Sequence, residues 1–237
     1  SRDDPTKDPW RVIGKLYHEE GHFDDGNGNR VLENLYCDCC GTIFIAGYRS
    51  LLPGLPGQPV GQELLPVSPE LEKLPRGYSD NLTGNETYSR LAVFWPSLSS
   101  EVNTPQGLGE FRQAKIGALQ EKDGKGFRIN LDESQPAHWQ EAYINPLNAV
   151  VSYTQKSDLD IHGYLFTVDG NAPTANEDYP AMPHVCPNCS SDYSRRMGRL
   201  SSIRPFRTGI NKYVQLLSKH LFHSLGGNRK LVSFSDS

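Results

Sequence analysis

Two Cys-x-x-Cys pairs constrain this chain more than anything else in it. They are Cys37-Asp-Cys-Cys40-Gly41 and Cys186-Pro-Asn-Cys189, with 145 residues between them. A two-residue spacer in a tight turn lets both sulfurs of a pair reach one ion. Two such pairs supply the four soft ligands that tetrahedral structural zinc prefers. A zinc ion held by Cys37, Cys40, Cys186 and Cys189 therefore predicts that two distant parts of the chain meet. A redox dithiol of the thioredoxin kind needs a βαβ setting with a helix directly after the first cysteine, and neither flank reads that way. Cys39 is left over. Adjacent residues share one ion poorly, so it is read as a spectator.

The cysteine count of five is odd, and four fall in close pairs. That pattern favours a reducing compartment over a secreted disulfide scaffold, and a cytoplasmic location is expected. In that setting the Asn-x-Ser/Thr matches at Asn81, Asn85 and Asn188 carry no glycan. No apolar run reaches the length of a membrane span, and residues 1–10 lack a signal-peptide pattern, so no membrane partner is expected. The chain begins at Ser1 and stops inside an apparent strand, as an excised domain would.

Charge is unevenly spread. Residues 190–237 hold nine Lys and Arg against two Asp, a net of +7. The whole chain carries −4, so the remainder carries −11. A basic tail on an acidic body suits an anionic partner, or packing of the tail on that body.

The strand signals are numerous. Arg11–Tyr17 reads as a strand, and Asp24–Asn29 as a turn. Leu35-Tyr36, the first cysteine pair and Thr42–Tyr48 give strand, knuckle, strand, which is half of a zinc ribbon. Residues 52–77 carry six prolines and read as a long irregular loop. Leu91–Trp95, Phe127–Leu131, Trp139–Ile144, Ala149–Tyr153 and Tyr164–Val168 are further strands. From Ile210 the apolar positions Tyr213, Val214, Leu217, Leu221 and Leu225 recur at helical spacing. Gly226-Gly227 caps that helix, and Leu231–Ser235 reads as a strand. The fold class is α+β and mostly β. Its expected centre is a zinc-ribbon-like core with a long insertion.

Three other motifs fail their physical tests. His18-Glu-Glu-Gly-His22 matches the His-Glu-x-x-His signature, in which Glu19 would act over a metal-bound water. Gly21 and the following Asp24-Asp-Gly-Asn-Gly oppose the helix that such a zinc metalloprotease needs. Asp25-x-Asn27-x-Asn29 opens like a calcium loop, yet Arg30 stands where the turn glycine belongs and Tyr36 where the bidentate Glu belongs. Gly124-Lys-Gly126 is no phosphate loop.

The C-terminal run carries a resemblance. Cys186-Pro-Asn-Cys189, Asp192-Tyr-Ser-Arg195, Ser202-Ile-Arg-Pro-Phe-Arg-Thr-Gly209 and Arg229-Lys-Leu-Val-Ser-Phe-Ser-Asp-Ser237 resemble one segment of large bacterial superfamily 2 DEAD/DEAH-box helicases. It is the segment that enters their second RecA-like lobe. Leu35–Gly41 and Phe94-Trp-Pro96 look like the insertion between the lobes. Those helicases often carry a cysteine-rich zinc-binding region and occur in anti-phage defence and DNA repair.

The resemblance implies a zinc-stabilised β-rich insertion domain over 1–200. It implies a basic linker, helix and first RecA-like strand over 201–237. ATP and Mg2+ would belong only to the parent helicase. Arg195, Arg196, Arg204 and Arg207 would face nucleic acid, DNA being expected, or a neighbouring RecA-like lobe. The rival expectation is a protein-interaction module that docks subunits of a defence complex.

Overall fold

The structure is a computed structural model. It describes residues 15–17, 22–51, 62–66, 87–97, 109–116, 119–121, 127–169, 179–193 and 201–205. The strands are β1 (Glu33–Cys37), β2 (Ile43–Leu51), β3 (Gln62–Leu65), β4 (Leu91–Pro96), β5 (Phe111–Ala114) and β6 (Leu119–Glu121). They continue with β7 (Phe127–Ile129), β8 (Ser134–Ile144), β9 (Val150–Ser152), β10 (Ile161–Val168) and β11 (Ile203–Pro205). One 3-10 turn, Leu131–Glu133, precedes β8.

The described residues are mostly β, as the alternating and apolar runs require. Their organising unit is a closed six-stranded barrel. Six strands run in the order β2, β3, β9, β8, β10, β4, and β4 pairs back onto β2 to close the ring. The long strands β2 and β8 extend past the barrel. The first half of β2 carries β1, and the first half of β8 carries β5. β11 adds to the free edge of β1, opposing Cys37 with Ile203. The strand–knuckle–strand layout at 35–48 is thus present as one corner of a barrel.

Alternation along the strands builds two cores. Leu64, Ala92, Phe94, Ala142, Ile144, Val151 and Leu165 form one cluster, contributed by five of the barrel strands. The ring is narrow, and small residues make room in it. A Cβ built at Gly163 of β10 meets the carbonyl of Trp95 at 2.3 Å and the Phe94 ring at 2.5 Å. No side chain fits there without moving backbone.

The opposite face of β2, β4, β8 and β10 presents Phe44, Val93, Trp95, Trp139 and Phe166. Leu35, Cys37, Tyr88, Tyr179, Met182, Cys186 and Ile203 cover it. Trp139 sits 5.6 Å from Phe44 and edge-on to Trp95 at 6.4 Å. β4 is buried at every position because a core lies on each side of it. That explains its unbroken apolar run in an antiparallel sheet, where one wet face would give alternation.

Two expectations change. Residues 52–77 are not wholly irregular, since Gln62–Leu65 forms β3 and closes the barrel against β2 and β9. Residues 15–17 of the expected 11–17 strand are not in a strand. The 210–225 helix, the 231–235 strand, and most of the 201–237 unit lie outside the described residues. Among the described residues no helix is long and apolar enough to cross a membrane.

Candidate metal centre

The barrel wall places both cysteine pairs. β1 delivers Cys37 into the second core, where it is fully buried. The cover segment delivers Cys186 into the same core, also fully buried. Its approach is fixed by a buried side chain on β5. Gln113 donates from Nε2 to the carbonyls of Pro180 (3.1 Å) and Met182 (2.9 Å) and accepts from the His184 amide (3.2 Å). The imidazole of His184 accepts at Nε2 from the Ala114 amide at 3.0 Å, which assigns its ring proton to Nδ1. Tyr88 donates its amide to the Tyr179 carbonyl at 2.7 Å.

The two knuckles share one backbone design. In the first, Gly41 N donates to Cys37 O (2.8 Å) and Cys37 N to Thr42 O (2.9 Å). In the second, Ser190 N donates to Cys186 O (2.9 Å) and Cys186 N to Ser191 O (3.1 Å). Both turns need a left-handed residue just after the second cysteine. Gly41 fills that place at φ 75° and Ser190 at φ 55°. Glycine takes this conformation freely, whereas serine is strained by its Cβ.

These turns bring four sulfurs together. Cys37 and Cys189 are 3.9 Å apart, and Cys40 and Cys186 are 3.8 Å apart. All four sulfurs lie within 4.8 Å of one another, and every cysteine is a free thiol. Four thiolates at about 2.3 Å from a tetrahedral ion stand roughly 3.8 Å from each other, so the donor set fits zinc. Geometry that distance alone would not require supports the fit. Each knuckle offers one fully buried cysteine, Cys37 or Cys186, and one more accessible one, Cys40 or Cys189, so the ion would sit at the edge of the core.

A polar shell surrounds the sulfurs. Ser202 Oγ stands 3.6 Å from Cys37, and Ser191 Oγ stands 3.3 Å from Cys189. The two hydroxyls are 2.9 Å apart. Asn188 donates from Nδ2 to Thr42 Oγ1 at 2.7 Å and reaches Cys40 Sγ at 3.7 Å. Burial opposes ionisation of Cys40. Hydrogen bonds from the side chain and amide of Thr42, from Cys189 and from Asn188 outweigh it and bring the thiol down to about 6. Burial pushes the thiols of Cys186 and Cys189 up. At Cys186 the neighbouring Cys37 and Cys40 sulfurs add to that rise. A positive ion at the centre would remove the penalty that these groups share.

Sequence reasoning did not single out Ser191, Ser202, Thr42, Asn188, Gln113 or His184 as parts of the centre. Thr42 and Ser191 had a signal, each lying two residues after a knuckle's second cysteine. Ser202 had none, because it reaches the site through the pairing of β11 with β1.

The remaining candidates divide cleanly. Cys39 is not one of the four, but its sulfur lies within 4.8 Å of Cys37 Sγ and of an Asp38 carboxylate oxygen; it is also 3.2 Å from the Tyr193 hydroxyl, and that contact and burial push the tyrosine up to about 12. Arg204, expected to face nucleic acid, is turned to the protein. Its Nε is 3.2 Å from Asp38 Oδ2, an ion pair by distance without hydrogen-bond alignment, and both side chains are largely buried. Arg195, Arg196 and Arg207 lie outside the described residues. So do His18 and Glu19, while exposed His22 packs at a tilt against Tyr17, with ring centroids 4.4 Å apart.

Asp25 is a turn residue. It accepts from the amides of Asn27 (2.8 Å) and Asn29 (3.0 Å) and from the Asn29 side chain (2.7 Å), which hold its carboxyl down to about 2. Comparison of the chain with protein-family models, with curated proteins and with solved structures finds no match.

Proposed function

We propose that this chain is a zinc-binding accessory domain of an ATP-dependent nucleic-acid helicase or translocase. The observation that carries the zinc reading is the four-sulfur cluster, with every sulfur within 4.8 Å of the others. The metal's role is structural. Four cysteine ligands leave no open position for substrate or water. The ion would staple the cover segment to the knuckle after β1, the strand on which β11 pairs. The ATP-dependent motor belongs to the parent protein, since these residues hold no phosphate loop.

The helicase part rests on the resemblance of 186–237 and on the +7 charge of residues 190–237. Arg204 is held by Asp38, so nucleic-acid contact falls to Arg195, Arg196 and Arg207. The test is binding of the isolated chain to duplex and single-stranded DNA across a salt series. Salt-dependent binding weakened by joint replacement of Arg195, Arg196 and Arg207 supports the reading.

The Arg204–Asp38 pair favours a second reading, a protein-interaction module in a multi-subunit complex. There the basic groups serve internal and inter-domain contacts. Absence of DNA and RNA binding, together with a specific protein partner, supports that reading instead.

A further inference from the structure

We propose that the four-sulfur centre is also a site of reversible oxidation, in which peroxide replaces the metal staple by two disulfides across the knuckles, Cys37–Cys189 and Cys40–Cys186. The inference rests on the zinc reading for the starting state, and on geometry alone for the pairing.

Three observations carry it. The contacts at 3.8 and 3.9 Å join sulfurs of different knuckles. Each contact pairs a buried sulfur, Cys37 or Cys186, with an exposed one, Cys189 or Cys40. The backbone on both sides is already fixed, by the pairing of β1 with β11 and by the hydrogen bonds that close each knuckle. A disulfide needs the sulfurs of each contact to close from 3.8 or 3.9 Å to roughly 2.05 Å. Cys39, the fifth thiol, is engaged by the Tyr193 hydroxyl at 3.2 Å, and its sulfur lies within 4.8 Å of Cys37 Sγ, so it is the thiol that competes with Cys189 for Cys37.

The chemistry balances with hydrogen peroxide as the oxidant. The exposed Cys40 thiolate attacks one peroxide oxygen. The O–O bond breaks, hydroxide leaves, and Cys40 becomes a sulfenic acid. That sulfur no longer donates fully to the ion. The Cys186 thiolate then attacks the Cys40 sulfur, the S–O bond breaks, hydroxide leaves and the disulfide forms. The same sequence at Cys189 and Cys37 consumes a second peroxide. Four thiolates and two peroxides give two disulfides, four hydroxides and one freed zinc ion. A dithiol reductant reverses the thiol chemistry. The consequence is a domain whose distant parts stay tied when the metal is lost, because each disulfide closes a loop of about 150 residues.

The experiment uses the whole chain loaded with zinc and treated with limiting hydrogen peroxide. A chromophoric chelator reads zinc release, and mass spectrometry of unreduced peptides reads the bridges. Cys37–Cys189 and Cys40–Cys186 bridges, formed as zinc is released and reversed by dithiothreitol, support the proposal. Dimedone added during oxidation should label Cys40 and Cys189 on the order of tenfold more than Cys37 and Cys186. The Cys39→Ser variant should give the same two bridges. Bridges within a knuckle, a bridge to Cys39, or accumulation of sulfinic acid overturns the proposal. A preparation that holds no zinc at the outset counts against the metal reading only. The pairing is then read in the same way on the metal-free thiols, where cross-knuckle bridges support it and any other pairing overturns it.

Discussion

The sulfurs of Cys37 and Cys189 are 3.9 Å apart, although 152 positions separate the two residues in the chain. Nothing local to either residue produces that proximity. It arises because β2 carries β1 as an extra strand beside the barrel, and because the Gln113–His184 hydrogen bonds seat the cover segment on β5. The barrel is therefore the scaffold, and the cysteines close its cover.

The serine hydroxyls beside the sulfurs should matter to metal affinity. Ser202 is fully buried and shares its hydroxyl with Cys37 and Ser191. Groups that orient ligands typically contribute about 10–100-fold in metal affinity. Ser202→Ala should weaken zinc binding by roughly that factor, read by competition with a chelator of known affinity. Unchanged affinity would show that the hydroxyl supports only packing.

The two knuckles make opposite predictions at equivalent positions. Ser190 holds φ 55°, and Ser190→Gly should stabilise the protein by about 0.5–1 kcal/mol. Gly41 holds φ 75°, with open space where a Cβ would go, so Gly41→Ala suffers strain without a clash. It should cost about 1 kcal/mol, read by denaturant unfolding of the zinc-loaded protein. Equal effects at the two positions would contradict the shared turn design.

Zinc uptake should release protons, with a stoichiometry that depends on pH. Cys186 and Cys189 have raised thiols and must lose their protons to bind metal. Cys40, lowered to about 6, is already mostly ionised at pH 7. Uptake at pH 7 should release the protons of Cys186 and Cys189, while Cys40 adds little there. The number should rise as pH falls through about 6, where Cys40 is protonated in the free protein. Acid should correspondingly weaken the metal. Calorimetry in buffers of different ionisation enthalpy measures this, and a proton count that does not change with pH would contradict the assignment.

Arg204 gives a selective prediction about nucleic acid. Its pairing with Asp38 leaves it little reach to phosphate. Arg204→Ala should cost about 0.5–1 kcal/mol of stability and leave the salt slope of any DNA binding unchanged. A slope reduced by about one in that variant would place Arg204 on the phosphates.

Much of this architecture was legible in the residues themselves. The cysteine spacing pointed to a meeting of four sulfurs, which the structure shows, and the apolar run at Leu91–Trp95 read as a strand. The second halves of β10 (from Tyr164) and β8 (from Trp139) were also read as strands. What was hidden depends on partners distant in sequence. β3 lies within a stretch rich in Pro and Gly, and only four residues of it pair with β2. Barrel closure rests on β2 pairing with β3 on one edge and β4 on the other, which no local pattern encodes. Arg204 was expected, from the resemblance, to face nucleic acid or a neighbouring lobe. It lies in an edge strand instead, and its charge meets Asp38.

Elemental analysis of the purified chain, combined with thermal unfolding of wild type and Cys186→Ser, tests the central claim most directly. The account predicts one zinc per chain in wild type. It predicts little zinc in the variant and a large loss of stability, since structural zinc contributes folding free energy on the order of 10 kcal/mol. A wild-type chain free of metal, with a Cys186→Ser variant that melts at the same temperature, would contradict it.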